Sequence, residues 1–170
     1  MRSLPLIGKL TQDPDIPEWW TSQPIAVPFF SGTPLPFTIM AEGTDLGYPP
    51  DVADAIRQFL SLNVTDRAAA SERVFAHYRE FAEAVEDVGV EIDDSAKVWM
   101  HVRPTAIYVD RRHRREKDIY VQVACNCDWE IEHGLQLVYR RGAKLTRVSD
   151  QDGHLTQADA CDLLEDQEDA

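Results

Sequence analysis

Hydrophobic positions along the chain change their period twice, and the changes mark the elements. Residues 1–24 are rich in proline and polar side chains and hold no sustained period. They carry Trp19 and Trp20, which are costly to leave in water, so this arm is expected to lie on the domain. "PIAVPFFSGTPLPFTIM" follows. Its two short apolar runs, 25–30 and 35–40, flank Gly32 and Pro34 and read as a hairpin. Pro28 and Pro36 place that hairpin at a sheet edge. "YPPDVADAIRQFLSLN" is helical, with Val52, Ile56, Phe59 and Leu60 on one face and Pro50 and Asp51 at its start. A second, longer helix is expected from a Thr65 cap to Gly89. Val74, Tyr78, Phe81, Val85 and Val88 recur in it at alternating steps of four and three.

From Lys97 the period becomes two. "KVWMHVRPTAIYVD" predicts two strands broken at Pro104, and "RRHRRE" is a charged turn. "DIYVQVACNCDWE" is the next strand, and "GLQLVYRRGAKLTRVSD" gives two more, joined at Arg141-Gly142. A short helix over roughly 156–164 takes Thr156 as its cap. Strands cluster instead of alternating with helices, which predicts an α+β fold. Its core is a mainly antiparallel sheet of about five to seven strands, with two helices on one face and a short C-terminal helix. The expected domain spans 1–165, followed by a frayed acidic tail at 166–170.

A chain of 170 residues is enough for one domain with a proper core. The net charge of −13 argues against nucleic-acid binding. Residues 103–147 nevertheless hold 10 Lys and Arg against 6 Asp and Glu, and the remainder holds 7 against 24. A mildly basic region on an acidic body follows. No apolar run approaches the roughly 20 residues that span a bilayer, and Pro5 and nearby charges break the N-terminal stretch as a secretory signal. A soluble cytoplasmic protein, bacterial in origin, is expected. The three cysteines, Cys125, Cys127 and Cys161, make a poor disulfide framework and fit a reducing compartment.

"CNCDWEIEHG", 125–134, concentrates potential metal ligands and acid–base groups. In an extended strand, parity splits them. Cys125, Cys127, Trp129 and Ile131 share the apolar face, and Asp128, Glu130 and Glu132 share the polar one. The thiols therefore read as small buried hydrophobes, without the convergence that zinc requires. The acids read first as a surface ion network with Arg140, Arg141 and Arg147. The functional alternative is a cluster of Asp128, Glu130, Glu132 and His133 where the strand ends and a bulge re-aims side chains. "SDQDGHLT" places Asp150 and Asp152 ahead of Gly153 like part of a calcium loop, but the remaining EF-hand positions fail. Arg111, Arg112, Arg114 and Arg115 in "RRHRRE" are candidates for contact with a phosphate or an acidic partner surface; a solvated hairpin tip is the plainer reading. His101 shares strand parity with Trp99 and reads as half-buried and satisfied. No phosphate loop, dinucleotide fingerprint, nucleophile elbow or zinc-protease motif appears, so no cofactor and no resident metal are expected.

"CDWEIEHGLQLVYRRGAKLTRVSDQDGHLT" resembles the C-terminal signature of an uncharacterised bacterial family. That family carries a C-D/E-W-E-x-E-H-G-L block and a D-G-H-L-T ending. "VPFFSGTPLPF" is similar to its early hairpin. The resemblance implies a fold unit and no activity. Three functions are expected, in this order. The first is a non-catalytic protein-binding module, immunity-protein-like in its acidity and size. The second is a small metal-dependent or acid–base enzyme using Glu130, Glu132 and His133. The third is a structural subunit forming a homodimer through the edge hairpin.

Overall fold

The computed structural model describes residues 2–164. Its strands are β1 (Arg2–Leu4), β2 (Gly8–Gln12), β3 (Trp20–Ser22), β4 (Ile25–Val27), β5 (Thr33–Leu35), β6 (Phe37–Ile39), β7 (Val102–Arg111), β8 (Ile119–Cys127), β9 (Leu135–Arg140) and β10 (Lys144–Ser149). Its helices are α1 (Pro50–Ser61), α2 (Val64–Ala69), α3 (Ser71–Ala84) and α4 (Gln157–Ala160), with 3-10 segments at Pro28–Phe30 and Ser95–His101.

Eight strands form one sheet in the order β1-β2-β3-β6-β7-β8-β9-β10, and β4 and β5 make a separate two-stranded ribbon. The fold is α+β, and the sheet is larger than the expected five to seven strands. Its extra members come from the N-terminal arm. Residues 2–22 do not merely lie on the domain; they supply β1, β2 and β3, with Leu4, Ile7 and Leu10 buried. Strands of three to five residues are too short to show a clear period, so their alternation is not legible.

One pairing is parallel. β6 lies beside β7 with Phe37 opposite Ile107 and Ile39 opposite Val109. A parallel pair needs a long crossover, and α1, α2 and α3 supply it, which is why all three lie between these strands in sequence. The expected edge hairpin therefore divides at Pro36. Its first part folds inward as the β4–β5 ribbon, with Val27, Phe29, Phe30 and Leu35 buried, and its second part becomes an interior strand.

The second helix also differs from expectation. Asn63, not Thr65, caps it. The Asn63 side chain accepts from the Thr65 N–H at 2.8 Å, and Asp66 reaches back to the Asn63 N–H at 2.8 Å. This reciprocal box satisfies two orphan donors and outcompetes a lone threonine. The helix breaks at Ala70 and ends at Ala84. From there residues 85–92 fold back on it, held where the Tyr78 hydroxyl donates to the Val90 carbonyl and accepts from the Ile92 N–H. Pro104 does not divide β7, because a bulge between Pro104 and Ala106 absorbs its missing N–H. Residues 97–101, expected as strand, are 3-10. Thr156 caps α4 as expected, accepting from the Asp159 N–H at 3.0 Å.

The core lies between the crossover helices and one sheet face. Ile107, Val109, Val121, Val123, Leu135 and Leu137 face Val52, Ile56, Phe59 and Val74. Phe29 sits at its centre, edge-on to Phe30, Trp99 and Tyr139. The free edge of β10 is covered by α3, whose Arg73 donates to the Leu145 and Thr146 carbonyls at 2.7 and 3.0 Å. Such a cover blocks strand addition at that edge. The opposite sheet face is buried only in part. Tyr120, Val138 and Leu155 form a second small cluster there, where the segment after β10 crosses the sheet. Among the described residues no helix is long and apolar enough to cross a membrane.

Candidate functional site

Parity holds through Cys127 and fails immediately after it. Cys125 and Cys127 are buried, as the alternation predicts, and burial pushes both thiols up, Cys127 to about 11. At Asp128 the strand ends and the chain turns. Trp129 is 2% exposed but Ile131 is 87% exposed, so the two no longer share a face. Glu130 is buried, not solvent-facing. Its carboxylate accepts the N–H groups of Glu132 and His133 at 2.9 and 3.2 Å and lies 3.2 Å from His133 Nδ1. Gly134 closes the turn at φ +65°, where a Cβ would lie 2.5 Å from the Cys125 carbonyl oxygen. Trp129 plugs into the core edge and donates its indole N–H to His77 Nδ1 at 3.1 Å. The recognisable block is thus a folded turn: an acid that ties down backbone N–H groups, an aromatic plug and an obligate glycine.

The expected ion network has other members. Arg140 and Arg141 pair with Asp118, and Arg147 pairs with Asp152. Asp128 instead meets Arg103 at 2.7 Å and His101 Nδ1 at 2.9 Å. Hydrogen bonds from Arg103 and His101 hold its carboxyl below the usual range. Burial pushes the Glu130 carboxyl up, but the bonds from His133 and Glu132 outweigh it and the net shift is downward. His133 is raised by its bond to Glu130. Glu132 is exposed. Because the folded pKa of His133 lies above its unfolded value, this contact stabilises the fold below the unfolded pKa. That contribution is lost as pH rises through the folded pKa. Titration of His133 by proton NMR is expected to give a midpoint above 6.5, returning toward it in Glu130→Gln. An unshifted midpoint in the wild type would contradict the pairing.

The two aspartates of the calcium-like loop are also taken. Arg147 clasps Asp152 with two bonds of 2.7 and 2.6 Å, and the His154 N–H and Gln136 Nε2 add to the same carboxylate. Asp150 accepts from His77 Nε2 at 2.8 Å; His77 Nδ1 already accepts from Trp129, so a neutral ring must carry its proton on Nε2. No group of three or more His, Cys, Asp or Glu suited to a metal occurs among the described residues. This loop is a salt-bridged strap that lays the C-terminal segment across the sheet.

The arginine turn is not a solvated tip. Arg111 grips Asp51 at the start of α1 with bonds of 2.8 and 2.9 Å. Arg112 is only 4% exposed and clasps Asp159 of α4 at 2.9 and 2.8 Å, with Glu116 at 2.7 Å. Arg114 donates to the Leu163 carbonyl at 2.7 Å. Arg115 alone of the four is exposed, at a backbone φ of +49°. Sequence spacing cannot reveal that Asp51 and Asp159 arrive from distant segments to meet this turn.

The structure brings together a different set. On the sheet face opposite the helices lies an open cleft of about 240 Å³. Gln122 and Ala124 of β8 and Gln136 of β9 make its floor, Tyr108 of β7 with Trp19 and Met40 one wall, and Gln151 and Gly153 the other. Trp19 and Tyr108 meet edge to face at 6.4 Å between centroids. None of these residues is charged, although the chain carries −13. Gln136 is bound to the strap, its amide nitrogen reaching Ser149 Oγ, Asp152 and the His154 carbonyl, each at 3.1 Å. Gln151 donates to the Cys125 carbonyl at 2.8 Å. Gln122 differs. It is 6% exposed, yet its amide has no hydrogen-bond partner among the described residues. No fully enclosed side-chain polar atom is left unbonded, so the Gln122 amide opens into the cleft. The sequence signal for this site is faint: glutamine at an even position of an otherwise apolar strand.

No curated protein and no solved structure matches the chain. A family model does, over residues 6–155, which run from the turn before β2 through the crossover helices and the turn block to Leu155 in the strap; the chain belongs to the family DUF6985, a domain of unknown function.

Proposed function

We propose that the chain is a non-catalytic protein-binding module whose recognition element is the cleft over β7, β8 and β9. The observation that carries this reading is Gln122, a buried amide without an internal partner at the floor of an open, aromatic-walled recess. An amide that opens into a recess is solvated there, and a ligand entering the recess must replace that water with matching donors and acceptors. Volume narrows the occupant. Sites for small molecules and cofactors run to about 300–1,000 Å³, and this cleft, at about 240 Å³, suits one anchoring side chain of a partner, the form in which interface energy is commonly concentrated. Of the residues read as an acid–base cluster, Glu130 braces its own turn with His133, Asp128 holds Arg103 and His101, and Glu132 is exposed to solvent.

Site-specific photocrosslinking tests the reading. A benzophenone side chain at Met40, on the cleft wall, is expected to capture one partner protein. The same group at Met100, exposed elsewhere, is expected not to. The captured protein, purified, should bind the wild-type chain and lose at least tenfold in affinity for Ala124→Leu, which fills the floor. Equal capture at both positions, or undiminished affinity for Ala124→Leu, contradicts the proposal. Light scattering of the chain alone should give a monomer, since the hairpin once placed at an edge is packed against its own core; a stable dimer would favour the oligomeric alternative.

A further inference from the structure

We infer that the cleft selects an uncharged primary amide, the side chain of an asparagine or glutamine on the partner. This deepens the proposed protein-binding function and rests on it. Three residues that line the recess, Gln122, Tyr108 and Trp19, carry side-chain polar groups that make no hydrogen bond to another described residue; none of these groups is fully enclosed. A primary amide offers an acceptor and donors in one plane, and two such groups pair reciprocally through two hydrogen bonds. Gln122 can form that pair because its own amide is uncommitted, whereas Gln136 and Gln151, on either side, are fixed to Asp152 and the Cys125 carbonyl.

Charged occupants fit worse on both signs. A carboxylate would set oxygen against the Gln122 oxygen, would find no cation lining the recess, and would approach a chain of net charge −13. An ammonium or guanidinium would gain from the aromatic faces of Trp19 and Tyr108. It would also be desolvated with no carboxylate on the cleft wall, because Asp152, the nearest acid in the strap, is clasped by Arg147. A purely apolar side chain would leave all three polar groups without partners and forfeit their desolvation. The methylene stem of an amide side chain, by contrast, packs on Met40 and Ala124 while its head reaches the Gln122 amide.

Three matched probes separate these cases: butyramide, butyrate and butylammonium, titrated against the ¹⁵N-labelled full chain. Butyramide is expected to shift the Gln122 side-chain amide and Trp19 indole resonances saturably, with a dissociation constant on the order of 10 mM, the scale for a ligand of so few atoms. The charged probes should bind at least tenfold more weakly. In Gln122→Leu the butyramide shift at Trp19 should vanish, with the rest of the spectrum retained. Butyrate or butylammonium binding as well as butyramide, or no saturable shift with any probe, overturns the amide assignment. Such a failure beside a partner still captured at Met40 leaves the cleft as a protein site of other chemistry. Butyramide binding with no partner captured there retains the amide assignment and removes the protein from the proposed function.

Discussion

Gly142→Ala is expected to destabilise the chain by on the order of 4 kcal/mol, the largest effect of any single methyl addition to a glycine in this fold. Gly142 sits in the β9–β10 turn at φ +73°, beside Arg141 at +52°. Holding alanine in the left-handed region costs about 1–3 kcal/mol. The steric problem is separate. The added Cβ would fall 1.9 Å from the Ala55 carbonyl oxygen and 2.8 Å from its carbon. These are backbone atoms of α1, so no side-chain rotation relieves the contact, and the helix must retreat from the sheet at about 1–3 kcal/mol more. At roughly 2–4 °C per kcal/mol for a chain of this size, thermal unfolding should shift down by about 8–16 °C. Gly8→Ala is the control, since Gly8 shares a positive φ of +75° but has nothing within 4 Å of the added atom. Equal shifts for the two variants would show that the close approach of this turn to α1 does not matter.

Arg112→Ala is expected to destabilise by about 3–5 kcal/mol, the range for removing one member of a buried ion group. The guanidinium is buried between Glu116 and Asp159, both largely buried themselves at 17% and 14% side-chain exposure. Its loss removes the two-bond clasp on Asp159, leaves Glu116 with the Tyr120 hydroxyl that donates to it at 2.6 Å, and loosens α4 from the sheet. Burial pushes the Asp159 carboxyl up, but Arg112 outweighs it and holds it below 3.8 in the wild type. That depressed folded pKa means the wild-type contact stabilises above the unfolded value and is lost as pH falls through the folded one. In the variant burial still pushes the Asp159 carboxyl up while the largest downward cause is gone, so its folded pKa rises from the wild-type position; Thr156 and Arg114 still act downward. The deficit is therefore full at pH 7 and shrinks as pH falls and the Asp159 carboxyl takes up a proton. Arg111→Ala, which breaks a half-exposed pair with Asp51, should cost only about 1 kcal/mol or less. Denaturant unfolding of both variants at pH 7 and pH 4 checks the ranking and the pH trend.

Much of the fold was legible where elements are long. The period-two run of Ile119 to Cys127 placed Cys125 and Cys127 on the buried face, and the α1 stripe of Val52, Ile56 and Phe59 entered the core as read. Alternation breaks at Asp128 because the strand stops at Cys127, and Gly134 and the Glu130 carboxylate fold the next residues into a turn. The parallel β6–β7 pair was invisible because Phe37–Ile39 is three residues long and its partner lies beyond all three crossover helices. The site was less legible still. Asp150, Asp152, Arg111, Arg112 and Glu130 look chemically available in sequence and are each bound internally, by residues that only the tertiary fold brings near. Gln122 looks like an interior accident and is the buried group left open. Side-chain type alone signals chemistry; only the full set of contacts shows which groups remain uncommitted.

The difference between Gln122 and Gln136 yields the sharpest test of the claim that the cleft awaits a ligand. Gln136→Leu should destabilise the chain by about 1–3 kcal/mol, because it removes the bonds that hold the strap. Gln122→Leu should cost no stability, since it replaces an amide that makes no bond to another described residue and opens into the cleft by an apolar side chain of similar size, as expected where a residue serves binding and not the fold. Thermal unfolding of Gln122→Leu in the absence of any ligand should give a midpoint equal to or above that of the wild type. A midpoint lowered as far as that of Gln136→Leu would mean that Gln122 serves the fold, and would contradict the account.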